Sequence, residues 1–147
     1  MRMQCRQVNI SELCVVERAV NGKIFRRGTC FVKLSAVDEF VGQITEPGKI
    51  DSRYAAMEPK SNNINTDYLY IAISRKFPEF LSRYRTTINL QADTLKYFTI
   101  DWHDDKDAQS YIAESINTLD KEVEAIEHQI DLEKEMKRWY LEKMIVT

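Results

Sequence analysis

The last third of the chain constrains the fold most. Between Asp107 and Met144, apolar residues recur at Ile112, Ile116, Leu119, Val123, Ile126 and Ile130, in alternating steps of four and three, and the same frame runs on to Tyr140 and Met144. Two apolar positions in seven make the seam of a coiled coil. Neither proline nor glycine occurs from Asp101 to Thr147, and the other faces carry Glu114, Lys121, Glu122, Glu124, Glu127 and Glu135. The spacing therefore predicts one uninterrupted helix. At ~1.5 Å per residue it reaches ~57 Å, more than the width of a compact body of about 100 residues. A helix folded back on its own body would leave its far half, Val123 to Met144, uncovered, so the helix is expected to project and to find another helix. Glu133 and Lys137 occupy seam positions, which favours a short or antiparallel pairing over a long autonomous coiled coil.

Charge divides the chain at the same place. Residues 1–100 hold 15 Lys and Arg against 10 Asp and Glu, a balance of +5, whereas residues 101–147 hold 6 against 13, a balance of −7. A basic body on an acidic rod points to the body as the part that would meet a polyanion. The three cysteines, Cys5, Cys14 and Cys30, form no CxxC pair and follow no apolar signal segment, which reads as a reduced, cytoplasmic protein. No apolar run approaches the ~18 residues of a membrane span.

Ahead of the helix, short β-rich runs alternate with turn signals. Val8-Asn9-Ile10 and the segment capped at Ser11 read as a strand or short helix. Asn21-Gly22 is a turn, Gly28 opens a strand over Thr29 to Leu34, Glu46-Pro47-Gly48-Lys49 is a β-turn, and Arg53 to Met57 is a strand stopped at Pro59. Asn65 or Thr66 caps a helix through Ser74 with Leu69, Tyr70 and Ile73 facing inward, and a further helical turn begins at Pro78 as a first-turn proline. Asn89 to Lys96 is helix-like and leads into an aromatic strand, Tyr97 to Trp102. The expected class is α+β: a small mixed α/β domain over residues 1–104 followed by one long coiled-coil helix over residues 105–147.

Catalytic chemistry finds little support. Glycines stand only at 22, 28, 42 and 48, so there is no GxGxxG, no phosphate-binding loop and no methyltransferase box, and no cofactor is implied. Asp51 with Glu58-Pro59-Lys60 has the acidic-x-Lys spacing of a Mg²⁺ nuclease, but proline at its centre disrupts the strand such a site uses. His103 beside Asp104, Asp105 and Asp107 is better read as a helix start, where acidic residues favour the dipole. The cysteine spacings fit no zinc knuckle, and buried thiols are the expectation. Catalytic and metal sites are therefore expected to be absent.

Four segments resemble one known family. YLYIAI (68–73), INLQADTLKYFTI (88–100), AQSYIAESINTLDKEVEAIEHQI (108–130) and KRWYLEKM (137–144) are similar, in order, to the DNA-specificity subunits of type I restriction-modification systems, in a short form with a single target-recognition domain. The resemblance implies that Gln109 sits at the junction where the spacer helix opens. A Pro-Pro-Leu-x-Glu-Gln stretch usual there is replaced by His103 to Gln109. Residues 1–67 match only loosely.

The resemblance implies a non-enzymatic specificity subunit or half-subunit that reads a half-site in double-stranded DNA and docks a methyltransferase subunit, with a restriction subunit as a further partner. The apolar stripe of the helix itself predicts a homodimer of antiparallel long helices, joined through Ile112, Ile116, Leu119, Val123, Ile126, Ile130, Tyr140 and Met144, which by resemblance would recreate from two copies the two-domain, two-helix layout of a full-length specificity subunit. Phosphate contacts come from Lys and Arg, and base edges are read by Arg, Asn and Gln. The candidate DNA-binding residues are thus Asn21, Lys23, Arg26, Arg27, Lys33 and Arg53, with Arg75, Lys76, Arg83 and Arg85 around the helical turn. A solvated surface charge is the commoner fate of any one of them, and Tyr54, Tyr84, Tyr97 and Trp102 are read as core. The alternative is a coiled-coil protein-interaction module or regulator that keeps this fold without reading DNA.

Overall fold

The computed structural model describes residues 1–86 and 89–145. Contacts divide the chain into Met1–Ser110 and Tyr111–Thr147. The first unit holds strand β1 (Cys5–Asn9), helix α1 (Ile10–Leu13), strands β2 (Cys14–Arg18), β3 (Cys30–Lys33), β4 (Val41–Gln43) and β5 (Tyr54–Pro59), helix α2 (Thr66–Tyr84), a 3₁₀ helix (Ala92–Tyr97) and strand β6 (Thr99–His103). Helix α3 (Lys106–Ile145) starts in this unit and makes up the second. Ile88, with which the second matching segment opens, lies outside the described residues.

Two antiparallel sheets form. One has the order β2-β5-β3-β4, and the other pairs β1 with β6 in a register of Cys5 to His103. β2 was not foreseen as a strand. The expected cap at Ser11 just before Cys14-Val15-Val16 suggests a helix start, and a helix is there, but its cap is Asn9, whose Oδ1 accepts from the Ser11 amide at 3.0 Å, and it ends after one turn at Leu13. The tertiary partner decides the rest, because β2 pairs along β5 from Cys14–Pro59 to Arg18–Ala55. β5 consequently takes in Pro59, the residue expected to stop it, and ends two residues past Met57.

Helix α2 corrects a second expectation. It does not break between Ser74 and Pro78 but runs unbroken for 19 residues with Pro78 inside it. An internal proline costs roughly 3 kcal/mol. Phe77, Phe80 and Leu81 are all buried on the continuation of the Leu69 and Ile73 stripe, and at ~1.5–3 kcal/mol each their burial outweighs that cost. Asn65 caps the helix as expected, accepting from the Tyr68 amide at 3.1 Å. Phe77 and Phe80 meet Phe98 with ring centroids 6.1 and 5.0 Å apart, and Tyr68 lies edge-on to Trp102 at 4.9 Å.

Of the four aromatics read as core, Trp102 is buried, Tyr54 and Tyr84 are half-buried, and Tyr97 is exposed, stacked on Tyr84. The thiols likewise divide. Cys14 and Cys30 are buried, and burial pushes Cys14 up to about 12 and Cys30 higher still. Cys5 is exposed, contrary to expectation, because the outer half of β1 carries no buried side chain.

The start of α3 is built as its acidic residues suggested. One Asp105 oxygen accepts from the Asp107 and Ala108 amides at 2.8 and 3.2 Å, and the other from the Arg2 amide at 2.8 Å. Donation by Arg2 first, then by Ala108, holds the Asp105 carboxyl below its usual range. Gln109 is buried and donates to the His103 carbonyl.

In the second unit, every described residue from Asn117 onward is exposed. The seam residues Leu119, Val123, Ile126 and Ile130 form its apolar stripe, and Leu132, Met136 and Trp139 add exposed apolar positions outside the heptad frame. Among the described residues no helix is long and apolar enough to cross a membrane.

Candidate nucleic-acid interface

Strand direction sorts the loops of the four-stranded sheet into two ends. Cys14, Pro59, Cys30 and Gln43 are level at one end, whereas Arg18, Ala55 and Lys33 lie toward the other. The first end gathers three segments: Arg26–Thr29 before β3, Ile44–Thr45 after β4, and Lys60–Asn65 between β5 and α2.

These segments are bonded into one frame. The Gly28 amide donates to the Ile44 carbonyl at 2.9 Å, and the Ile44 amide returns a bond to Thr29 at 3.1 Å. Gln43 Nε2 donates to the Thr66 carbonyl at 2.8 Å. Arg26 is the tie to the third segment: its Nη1 donates to Asn62 Oδ1 at 3.0 Å, its Nη2 to the Pro59 carbonyl, and its backbone amide to Glu58 Oε2 at 3.2 Å.

Gly28 makes this packing possible. Its φ of +86° suits glycine, and a Cβ there would sit 2.4 Å from Thr66 Cγ2. Gly28→Ala is therefore expected to cost about 1–3 kcal/mol from backbone strain alone, with more from the displaced Thr66. Urea unfolding monitored by Trp102 fluorescence checks this, and a midpoint equal to wild type would refute it.

The ten candidate DNA-binding residues do not form one patch. Arg26 and Arg27 share the framed end. Lys33 and Arg53 belong to the opposite end, where they pair with Asp38 at 2.8 Å and Asp51 at 3.1 Å. Both carboxyls are held below their usual range, Asp38 by its bond from the Lys33 side chain and Asp51 by the Arg53 amide first and its guanidinium second. Lys23 is bonded to Glu17, which raises its ammonium, and Asn21 lies in the exposed turn beside it. On α2, Lys76 reaches Asp101 at 3.2 Å and Arg83 reaches Glu79 at 3.5 Å. Arg75 and Arg85 are exposed and have no ion pair among the described residues.

Arg27 is also exposed, without a side-chain hydrogen bond or ion pair among the described residues, and it lines two adjoining hollows. One, of about 250 Å³, is shared with Arg26, Pro59, Ser61, Asn62, Ile64 and Thr66. The other, of about 90 Å³, is shared with Gly28, Gln43, Ile44, Thr45, Thr66 and Asp67. Gln43, Thr45, Ser61, Asn62 and Asp67 were not foreseen here. The run Ser61-Asn62-Asn63-Ile64-Asn65 carried the signal, being rich in amides directly after a strand end, but only Asn65 was read, as a cap. A rigid rim of donors with one free guanidinium suits a polyanion with hydrogen-bonding edges. Among the described residues no group of three or more His, Cys, Asp or Glu side chains is placed to hold a metal ion.

No protein-family model matches this sequence, and no curated protein does. Solved structures do. The chain superposes on the S subunit of a type I restriction-modification system from M. genitalium with a TM-score of 0.67 at 14% identity, over 88% of this chain and 42% of that one. With a chain from a structure of type I restriction-modification complex assembly and conformational transition, the TM-score is 0.72 at 16% identity, over 94% and 44%. With the HsdS subunit from Thermoanaerobacter tengcongensis it is 0.62 at 14% identity, over 87% and 40%. The chain spans less than half the length of each. A basic-bodied α+β unit running into a 40-residue helix, superposable on three such subunits, has the fold of a type I restriction-modification specificity subunit.

Proposed function

We propose that this chain is the non-catalytic DNA-recognition part of a type I restriction-modification system. Its body reads a half-site, its long helix docks a methyltransferase subunit, and catalysis belongs to the partners. The observation that carries this reading is the likeness to specificity subunits over 94% of the chain at a TM-score of 0.72. The framed loop end with Arg27 supports it, and so does the exposed stripe on α3, which two copies could bury against each other as an antiparallel homodimer. Such a dimer would present two recognition bodies, and the site read would be an interrupted palindrome whose gap is set by helix length.

One observation favours a second reading, a protein-interaction module that keeps the fold without reading DNA. Lys23, Lys33, Arg53, Lys76 and Arg83 are all turned to carboxylates of the same chain. Apart from the half-buried Lys76–Asp101 pair these contacts have at least one exposed partner, and exposed pairs are worth only ~0–1 kcal/mol, so they weaken the first reading without displacing it. Sequencing of methylated bases in the host genome with and without this gene separates the two. Loss of one modified, interrupted motif is the expected result, and an unchanged methylation pattern would favour the second reading.

A further inference from the structure

We infer that Arg27 and Asp67 together read one guanine–cytosine pair in the major groove, with Arg26 as the residue that positions them. The inference rests on the DNA-recognition reading above and adds the base identity and the residues. Arg27 and Asp67 line the same hollow of about 90 Å³. Both are exposed, and neither side chain makes a hydrogen bond or ion pair among the described residues. A guanidinium and a carboxylate thus border one hollow without pairing with each other, unlike Lys33 with Asp38 or Arg53 with Asp51.

Their chemistry matches one base-pair edge. Guanine presents two acceptors, N7 and O6, to which an arginine fork donates both of its bonds, while its cytosine presents an amino group that donates to a carboxylate. An adenine–thymine pair offers no such run of two acceptors beside one donor. A phosphate would suit Arg27 but is repelled by Asp67, so a base edge satisfies the pair better than the backbone does. Asn62 extends the donor side, because its Oδ1 is occupied by Arg26 and its amide hydrogens remain to be given.

The surrounding frame keeps the two groups in place. Asp67 stands in the first turn of α2, capped by Asn65, and Arg27 is held between the tied Arg26 and the left-handed Gly28. Arg26 spends its guanidinium inward, which makes it a positioning residue.

The test is selection of duplexes carrying a randomised block by the full chain, followed by sequencing and by affinity for an unselected random duplex. Wild type should enrich a half-site containing one invariant G·C pair. Arg27→Lys keeps the charge but loses the fork, and should reduce the preference at that pair on the order of tenfold or more while random-duplex affinity changes by less than about threefold. Asp67→Asn should relax the same pair and, by removing a repulsion, strengthen random-duplex binding. Arg26→Ala should blur the whole half-site and lower the melting temperature, whereas Arg27→Lys should leave the melting temperature at the wild-type value. A motif unchanged in Arg27→Lys or in Asp67→Asn would overturn the inference, as would a loss in Arg27→Ala that is equal for all sequences, the signature of a phosphate contact. A wild type that retains no duplex would overturn the recognition reading itself and the inference with it.

Discussion

Val123→Glu combined with Ile126→Lys is expected to turn a particle of twice the chain mass into one of 17.3 kDa. Leu119, Val123, Ile126 and Ile130 are exposed in succession along one stripe of α3. Two-fold pairing buries each of them twice. Pairing gains ~25 cal/mol for each Å² of apolar surface it removes from water. Two charges at the centre of the stripe remove the middle of that gain and oblige the interface to bury ions without designed partners. Both positions lie outside the Met1–Ser110 unit, so the body should keep its unfolding midpoint. Sedimentation at tens of micromolar measures the outcome. A wild type that already sediments at 17.3 kDa would defeat the self-pairing proposal, and a mass unchanged by the double substitution would place the contact elsewhere.

Phe77→Ala should be the most damaging single truncation in the body, at about 3–5 kcal/mol. Phe77 is fully buried on α2, with Phe80 and Phe98 around it at ring-centroid distances of 6.3 and 6.1 Å. Its removal takes away apolar area, edge-on aromatic contact and the support of the turn that already contains Pro78. The helix loses part of what offsets its internal proline, so the defect should spread toward Tyr84 more than toward Asn65. A loss of that size is a large fraction of the ~5–15 kcal/mol that holds a domain together. Urea titration gives the free energy. Amide exchange then locates the damage, with faster exchange after Pro78 than before it. A cost under 1 kcal/mol would show that neighbouring side chains collapse into the space.

What the sequence made legible follows the range over which each signal acts. The long helix, the Asn65 cap, the Asn21-Gly22 turn and the strand that follows Gly28 each declare themselves within a few residues, and each stands where expected. β2 and the unbroken α2 did not declare themselves. The first is decided by its partner β5, some 40 residues away in the chain, and the second by buried aromatics whose gain exceeds a local penalty. Charge follows the same rule. The Asp51–Arg53 and Lys33–Asp38 pairs lie close in sequence and were open to inspection, but Lys76 with Asp101 required the fold. Arg27 was singled out by its charge, while Asp67 drew no reading, because one carboxylate next to a helix cap carries no signal of its own.

The pairing of β1 with β6 has a bearing on heredity. Cys5 lies opposite His103, and the Arg2 amide reaches the Asp105 carboxylate, so the body's incoming chain and its exit into α3 are adjacent. A body whose two ends meet can be cut out and replaced at a single point without redirecting the chain on either side. Recombination with crossovers near Gln4 and Asp104 would exchange every loop of the framed rim at once while leaving the helix sequence untouched. Under the proposed DNA-recognition reading, such an exchange would install a new half-site in one genetic event while the helix stayed as it was.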